Sequence, residues 1–140
     1  MPGNRNPNFK FQMSNQAQNP NDKNKYDLIE RTAKFGEDVI IFAQSLPENS
    51  VNRPLISQFI RNGTSIGANY MEADAAESKK DFEHKIGICK KESKEAMHWL
   101  RMLAKANSSR QTECRKLWKE AHEFTLIFST IINNSRKKKK

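Results

Sequence analysis

The sequence predicts an all-α fold, an antiparallel up-and-down four-helix bundle, and three observations carry that prediction. From residue 27 onward apolar residues recur at alternating spacings of four and three, the period of helices packed nearly side by side. The breaks in that pattern are short and hold Pro, Asn and Ser, which end and restart helices. Finally, 140 residues that are 36% apolar and 29% charged, with five Gly and five Pro, suit one packed helical domain.

The first helix is expected over residues 27–46, with Leu28, Phe35, Val39, Phe42 and Leu46 inward, Thr32 filling the gap and Pro47 as the stop. Asn52 is the expected N-cap of the second helix. Pro54 is tolerated in its first turn, and Leu55, Phe59, Ile66 and Ala73 carry the pattern to about Glu77. A capping box, Ser78 with Asp81, opens the third helix, whose inward set is Phe82, Ile86, Cys89, Ser93, Ala96, Leu100 and Leu103. Asn107, Ser108 and Ser109 end it. Ser108 with Gln111 offers a second box, followed by Cys114, Leu117, Ala121, Phe124, Phe128 and Ile131. Short links between four such segments imply the up-and-down order.

Three regions follow from composition. Residues 1–25 contain ten Asn or Gln and three Pro, too little apolar surface to offset ordering, and read as a disordered polar and basic arm. Within it, Phe9, Phe11 and Met13 read as a short docking strand, a base-stacking element or, more simply, incidental hydrophobes. Residues 26–135 form the bundle, and residues 136–140 a basic tail. The formal charge of +9 divides unevenly: the arm carries +3, the tail +5, and the body has 16 basic against 15 acidic residues. Such tails attract polyanions at long range, or serve solubility alone. The longest apolar run, residues 39–43, is too short to span a bilayer, and no secretion signal opens the chain, so a cytoplasmic protein is expected.

Several helices carry more apolar surface than one core needs. On the second helix Ile56, Ile60, Gly63, Gly67, Tyr70 and Met71 form such an excess, and the paired glycines would admit another backbone. The expectation is a homo-oligomer interface, the alternative a thicker core within one chain. Beside that face Arg61, Ser65, Asn69 and Glu72 share an arc of about 80°. They read as an internal polar network that fixes register, or as a binding cluster.

No catalytic set converges. The spacings Asp81 to His84 and Glu95 to His98 suit a di-iron bundle, but both lie on one helix, whereas such a site needs pairs on two helices. Cys89 and Cys114 fall on the inward pattern and read as small buried hydrophobes. Neither a nucleophile elbow nor a phosphate-cradling glycine loop is present. No enzyme activity, metal or cofactor is expected.

The outward side of the third helix is more informative. Lys80, His84, Gly87, Lys91, Lys94, His98, Arg101 and Lys105 follow the same four-three spacing as the core, contain no carboxylate and span roughly 37 Å. Lys80 lies about 160° around the axis from Phe82, so the row faces away from the bundle. A stripe of that length can follow several phosphates, or be a solvated lysine face.

The run from Ser65 through Ile66, Gly67, Ala68, Asn69, Tyr70, Met71, Glu72 and Ala73, then Glu77, Ser78, Lys79, Lys80, Asp81, Phe82 and Lys85, resembles the signature of a known family. Lys91, Glu92, Glu95, Trp99, Leu100 and Leu103 extend the likeness. The family is that of the four-helix-bundle proteins named after large-subunit rRNA intervening sequences, and the likeness covers about residues 26–132. It implies an antiparallel bundle assembled as a ring, often a pentamer, with no known catalytic site. Similar proteins serve diversity-generating retroelements, where a basic ring binds nucleic acid and a reverse transcriptase. Taken together, sequence and resemblance predict a non-enzymatic RNA- or DNA-binding accessory protein. Lys80, His84, Lys91, Lys94, His98, Arg101 and Lys105, with Arg136, Lys137, Lys138, Lys139 and Lys140, would be the contacts. The alternative is a scaffold that docks a larger enzyme such as a reverse transcriptase.

Overall fold

Four helices form in the predicted order in a computed structural model that describes residues 23–137: α1 (Lys23–Ser45), α2 (Asn52–Asp74), α3 (Lys79–Ala106) and α4 (Gln111–Lys137). A three-residue 3-10 turn, Ser108–Arg110, joins the last two, and there is no strand among the described residues. The arm predicted over residues 1–25 lies outside the described residues except for its last three, which already belong to α1.

Periodicity translates directly into burial. In α1 Leu28, Thr32, Phe35, Val39 and Phe42 are all buried, as is Leu46 just beyond its end. The polar member, Thr32, donates its hydroxyl to the Leu28 carbonyl at 2.7 Å, so its own buried hydroxyl is matched. From α3 come Ile86, Cys89, Ser93, Ala96, Leu100 and Leu103, and from α4 Cys114, Ala121, Phe124 and Phe128, into one continuous core. Phe35 meets Phe124 edge-on at 5.5 Å, an arrangement that adds about 0.5–1.5 kcal/mol to the area buried. At the far end of α4 the pattern slips by one residue, and Ile132 is buried where Ile131 was expected.

Caps and links show where local chemistry departed from expectation. Ser78 accepts from the Asp81 amide at 3.0 Å, the cap the sequence predicted. At α2, however, Asn49 accepts from the Asn52 amide at 2.7 Å and from that of Val51 at 3.1 Å, so Asn49 supplies the capping oxygen. Asn52 is instead the first residue of the helix and fully buried. Its amide exchanges two hydrogen bonds of 2.9 Å with Asn107, the residue that ends α3. The second helix stops at Asp74, three residues short of Glu77. The Ser108 box does not form an α-helical cap, because the chain makes a 3-10 turn there, with the Arg110 amide donating to the Asn107 carbonyl at 2.9 Å.

Cross-helix pairs give the packing. Asn52 with Asn107, Asn62 with Glu95, the Ile66 carbonyl with Cys89, and Glu72 with Lys85 join α2 to α3, one position falling as the other rises. Phe35 with Phe124 and Arg31 with Glu120 join α1 to α4, and Ser45 with Arg110 ties the end of α1 to the 3-10 turn that precedes α4. At the α1–α2 crossing three glycines set the separation. A Cβ at Gly63 would lie 2.7 Å from Val39 Cγ2, one at Gly67 3.3 Å from Thr32 Oγ1, and one at Gly36 3.6 Å from the Thr64 Cα. Along the α1–α4 seam lies a cleft of about 750 Å3, floored by Phe35, Phe42 and Leu117. No described helix is long and apolar enough to cross a membrane.

Candidate nucleic-acid interface

Because the inner side of α3 is fixed by six fully buried residues, its outer side is fixed as well. Lys80, His84, Lys91, Lys94, His98, Arg101 and Lys105 are all exposed. The lysines and the arginine of this row take part in no ion pair or hydrogen bond among the described residues. Gly87 sits within the row, and a Cβ there would meet nothing within 4 Å, so packing does not require glycine at this point. Three of the four carboxylates of α3 are bonded to neighbouring helices, while Asp81, in its first turn, is exposed. Glu92 and Glu95 both accept from the buried Asn62 amide of α2, the latter at 2.7 Å, and Glu83 accepts from Ser135 of α4 at 2.6 Å. What remains along the outer face is a predominantly cationic ridge.

Helix α4 widens the ridge at both ends. Near its C-terminus the Ser135–Glu83 bond lays the last turn, with exposed Arg136 and Lys137, beside the part of α3 that carries Lys80 and His84. Lys138, Lys139 and Lys140 lie outside the described residues. Near its N-terminus Arg115 and Lys119 face Arg101 and Lys105 across a recess of about 610 Å3, with Trp118 in the wall. His122 stacks on the indole at 5.1 Å and 19° without lining the recess. Sequence reading missed Arg115, Trp118 and Lys119. The available signal was their spacing: cations at i and i+4 flank an aromatic residue whose neighbour Leu117 is the one on the core pattern.

The surface expected to join copies of the chain is largely used within it. Gly63 and Gly67 face α1, and Tyr70 is buried against Phe128 at 6.1 Å between ring centres. Ile56 and Ile60 pack on the core, leaving Met71, 57% exposed, as the outward member. Exposed hydrophobics elsewhere include Ile41 at 62% and Leu126 at 51%, which border clefts along the α1–α4 seam.

The stripe of Arg61, Ser65, Asn69 and Glu72 makes local bonds rather than a closed network. Ser65 donates to the Arg61 carbonyl at 2.6 Å, Asn69 to the Ser65 carbonyl at 2.9 Å, and Arg61 to the Gln58 side chain. Glu72 alone of the four reaches another helix, accepting from Lys85 at 2.6 Å, which raises the lysine pKa. The cross-helix polar contacts belong to neighbouring positions, Asn52 and Asn62, both buried. Asn62 fills the gap of seven between Phe59 and Ile66, as Thr32 does in α1.

Both cysteines are buried. Desolvation pushes the Cys89 thiol up to about 12, and it donates to the Ile66 carbonyl at 3.7 Å. Burial raises the Cys114 thiol as well. Among the described residues no three His, Cys, Asp or Glu side chains converge as metal ligands.

The family model described as 23S rRNA-intervening sequence protein matches residues 24–130. A crystal structure from Bacteroides thetaiotaomicron, of a protein with unknown function from the S23 ribosomal protein family, superposes with a TM-score of 0.72 at 26% sequence identity. The match covers 78% of this chain and 97% of that one. No curated protein matches the chain.

Proposed function

The chain belongs to the 23S rRNA-intervening sequence protein family, and from that premise we propose that it is a non-enzymatic, cytoplasmic nucleic-acid-binding protein acting through the outer ridge of α3. The single observation that carries the reading is the ridge itself: seven exposed basic or histidine side chains in register, with three of the four acids of the same helix bonded to neighbouring helices. Phosphate contacts of this kind neutralise a backbone without reading bases, so recognition is largely sequence-tolerant. The descending order of cross-helix partners supports an antiparallel up-and-down arrangement. In the assembly we propose, a ring-like homopentamer, the ridge and tail of each protomer repeat around an axis, and avidity multiplies a weak contact. Exposed Ile41, Met71 and Leu126 are the apolar surface such an assembly would cover.

The test is a gel-shift series in which Lys91, Lys94 and Arg101 are changed to Glu together. Loss of RNA or DNA binding with an intact helical circular dichroism spectrum is expected. Unchanged affinity would remove the ridge from the mechanism. A second reading, a scaffold that docks a larger enzyme such as a reverse transcriptase, draws on the apolar floor of the α1–α4 cleft. Pull-down before and after nuclease treatment separates the two, since a partner that survives nuclease is held by protein contacts.

A further inference from the structure

The recess between the C-terminal half of α3 and the N-terminal half of α4 differs from the ridge in having depth and an aromatic wall. Its charged lining is wholly basic: Arg101 and Lys105 from α3, Arg115 and Lys119 from α4. None of these four has an ion-pair or hydrogen-bond partner among the described residues, so their charge is available to a ligand. Trp118 is half-buried and anchored on the core. Its stacking partner, His122, is outside the recess, leaving the rest of the indole to face an incoming group. At about 610 Å3 the space lies within the range of about 300–1,000 Å3 typical of small-ligand sites.

We propose that this recess binds an unpaired nucleotide of single-stranded nucleic acid, its base packed against Trp118 and its flanking phosphates held by Arg101, Lys105, Arg115 and Lys119. The inference rests on the nucleic-acid reading above and narrows it to a strand preference. Cations alone would hold duplex and single strand alike, whereas an aromatic wall rewards a base that is free to leave its stack. A paired base inside a duplex cannot enter. The spacing of cations on two facing helices, four residues apart on each, brackets the indole as successive phosphates would bracket a base.

The chain has two tryptophans, Trp99 and Trp118, so Trp99→Phe leaves Trp118 as the sole reporter. The probes are a labelled oligouridylate of about 12 nucleotides and its duplex with oligoadenylate, with polyglutamate as an acidic-peptide competitor. Binding is followed by label anisotropy and by indole emission. The expected result is quenching of Trp118 that saturates together with single-strand anisotropy and is absent with the duplex. Trp118→Ala should weaken single-strand binding roughly tenfold while duplex affinity stays the same, and Trp118→Phe should restore most of the loss with an unchanged helical spectrum. Three results would overturn the proposal: single-strand saturation without quenching, equal loss for both probes in Trp118→Ala, or displacement of the oligouridylate by polyglutamate at matched charge. If neither probe binds in dilute buffer, this inference and the reading beneath it fail together.

Discussion

Replacing Gly63 by alanine tests whether the glycines of α2 serve this chain or a second one. The added Cβ would lie 2.7 Å from Val39 Cγ2, 3.0 Å from Cγ1 and 3.2 Å from Cβ. Carbon atoms in contact prefer about 3.5–4.0 Å, so the nearest pair overlaps by close to an ångström. Val39 is completely buried, and a β-branched residue in a helix has one strongly preferred rotamer. Rotating one methyl group away brings the other in. The strain therefore passes to the α1–α2 separation, which Gly67 on Thr32 and Gly36 on Thr64 also hold close. Overpacking of this kind costs about 1–3 kcal/mol, and the gain in helix propensity returns about 1 kcal/mol. The net loss should be up to about 2 kcal/mol, a fall in Tm of up to roughly 6 °C. Gly87→Ala is the internal control: with open space around its Cβ it keeps the propensity gain and should stabilise by about 1 kcal/mol. Urea unfolding followed by circular dichroism at one protein concentration reads both, and a Val39→Ala background should remove most of the Gly63→Ala cost. The reasoning is refuted if the two glycine variants shift stability in the same direction. It is equally refuted if Gly63→Ala changes only the assembled mass.

The buried Asn52–Asn107 pair predicts that Asn107→Ala, which leaves Asn52 Oδ1 without its partner while Nδ2 keeps the Pro47 carbonyl, costs about 1–3 kcal/mol. The double alanine variant should cost less than the two singles combined, as measured in a double-mutant cycle. Alkaline stability follows from three buried groups: desolvation pushes Cys89 from an ordinary 9.0 up to about 12 and Tyr70 from 10.0 up to about 12, and it raises Cys114 as well. Between those limits the unfolded chain has released protons that the folded chain retains, so stability falls as pH rises. The urea midpoint should be level up to about pH 9 and decline above it, and Cys89→Ala should make the first part of the decline shallower, with Cys114 accounting for what remains of it. Light scattering should give a mass several times that of one chain at both low and high salt, because the proposed assembly closes on apolar surface; a monomer at both would leave Ile41, Met71 and Leu126 without a role.

Helix order and the inward face of each helix were legible because burial follows a strict four-three spacing, which even Thr32 and Ser93 obey. Legibility ended where one residue type has two uses. Asn52 before a proline reads as a cap, yet Asn49 caps and Asn52 pairs across the core, a distinction made by tertiary distance and not by local pattern. Paired glycines signal close approach in either a neighbouring helix or a neighbouring chain, and only the geometry at Val39 says which. The ridge of α3 was visible because it lies on one helix. The recess around Trp118 was not, since its two halves are contributed by helices whose facing residues no single-helix pattern brings together.

The central claim is most directly tested by the affinity of the full chain for a labelled RNA across a salt series. If several of the ridge and tail cations meet phosphates, log Kd should rise linearly with log salt, with a slope of about 3–6 for four to seven contacts. Tight binding in dilute buffer that weakens by orders of magnitude on that line is the predicted result, whereas a flat line, or no binding in the most dilute buffer, would contradict the account.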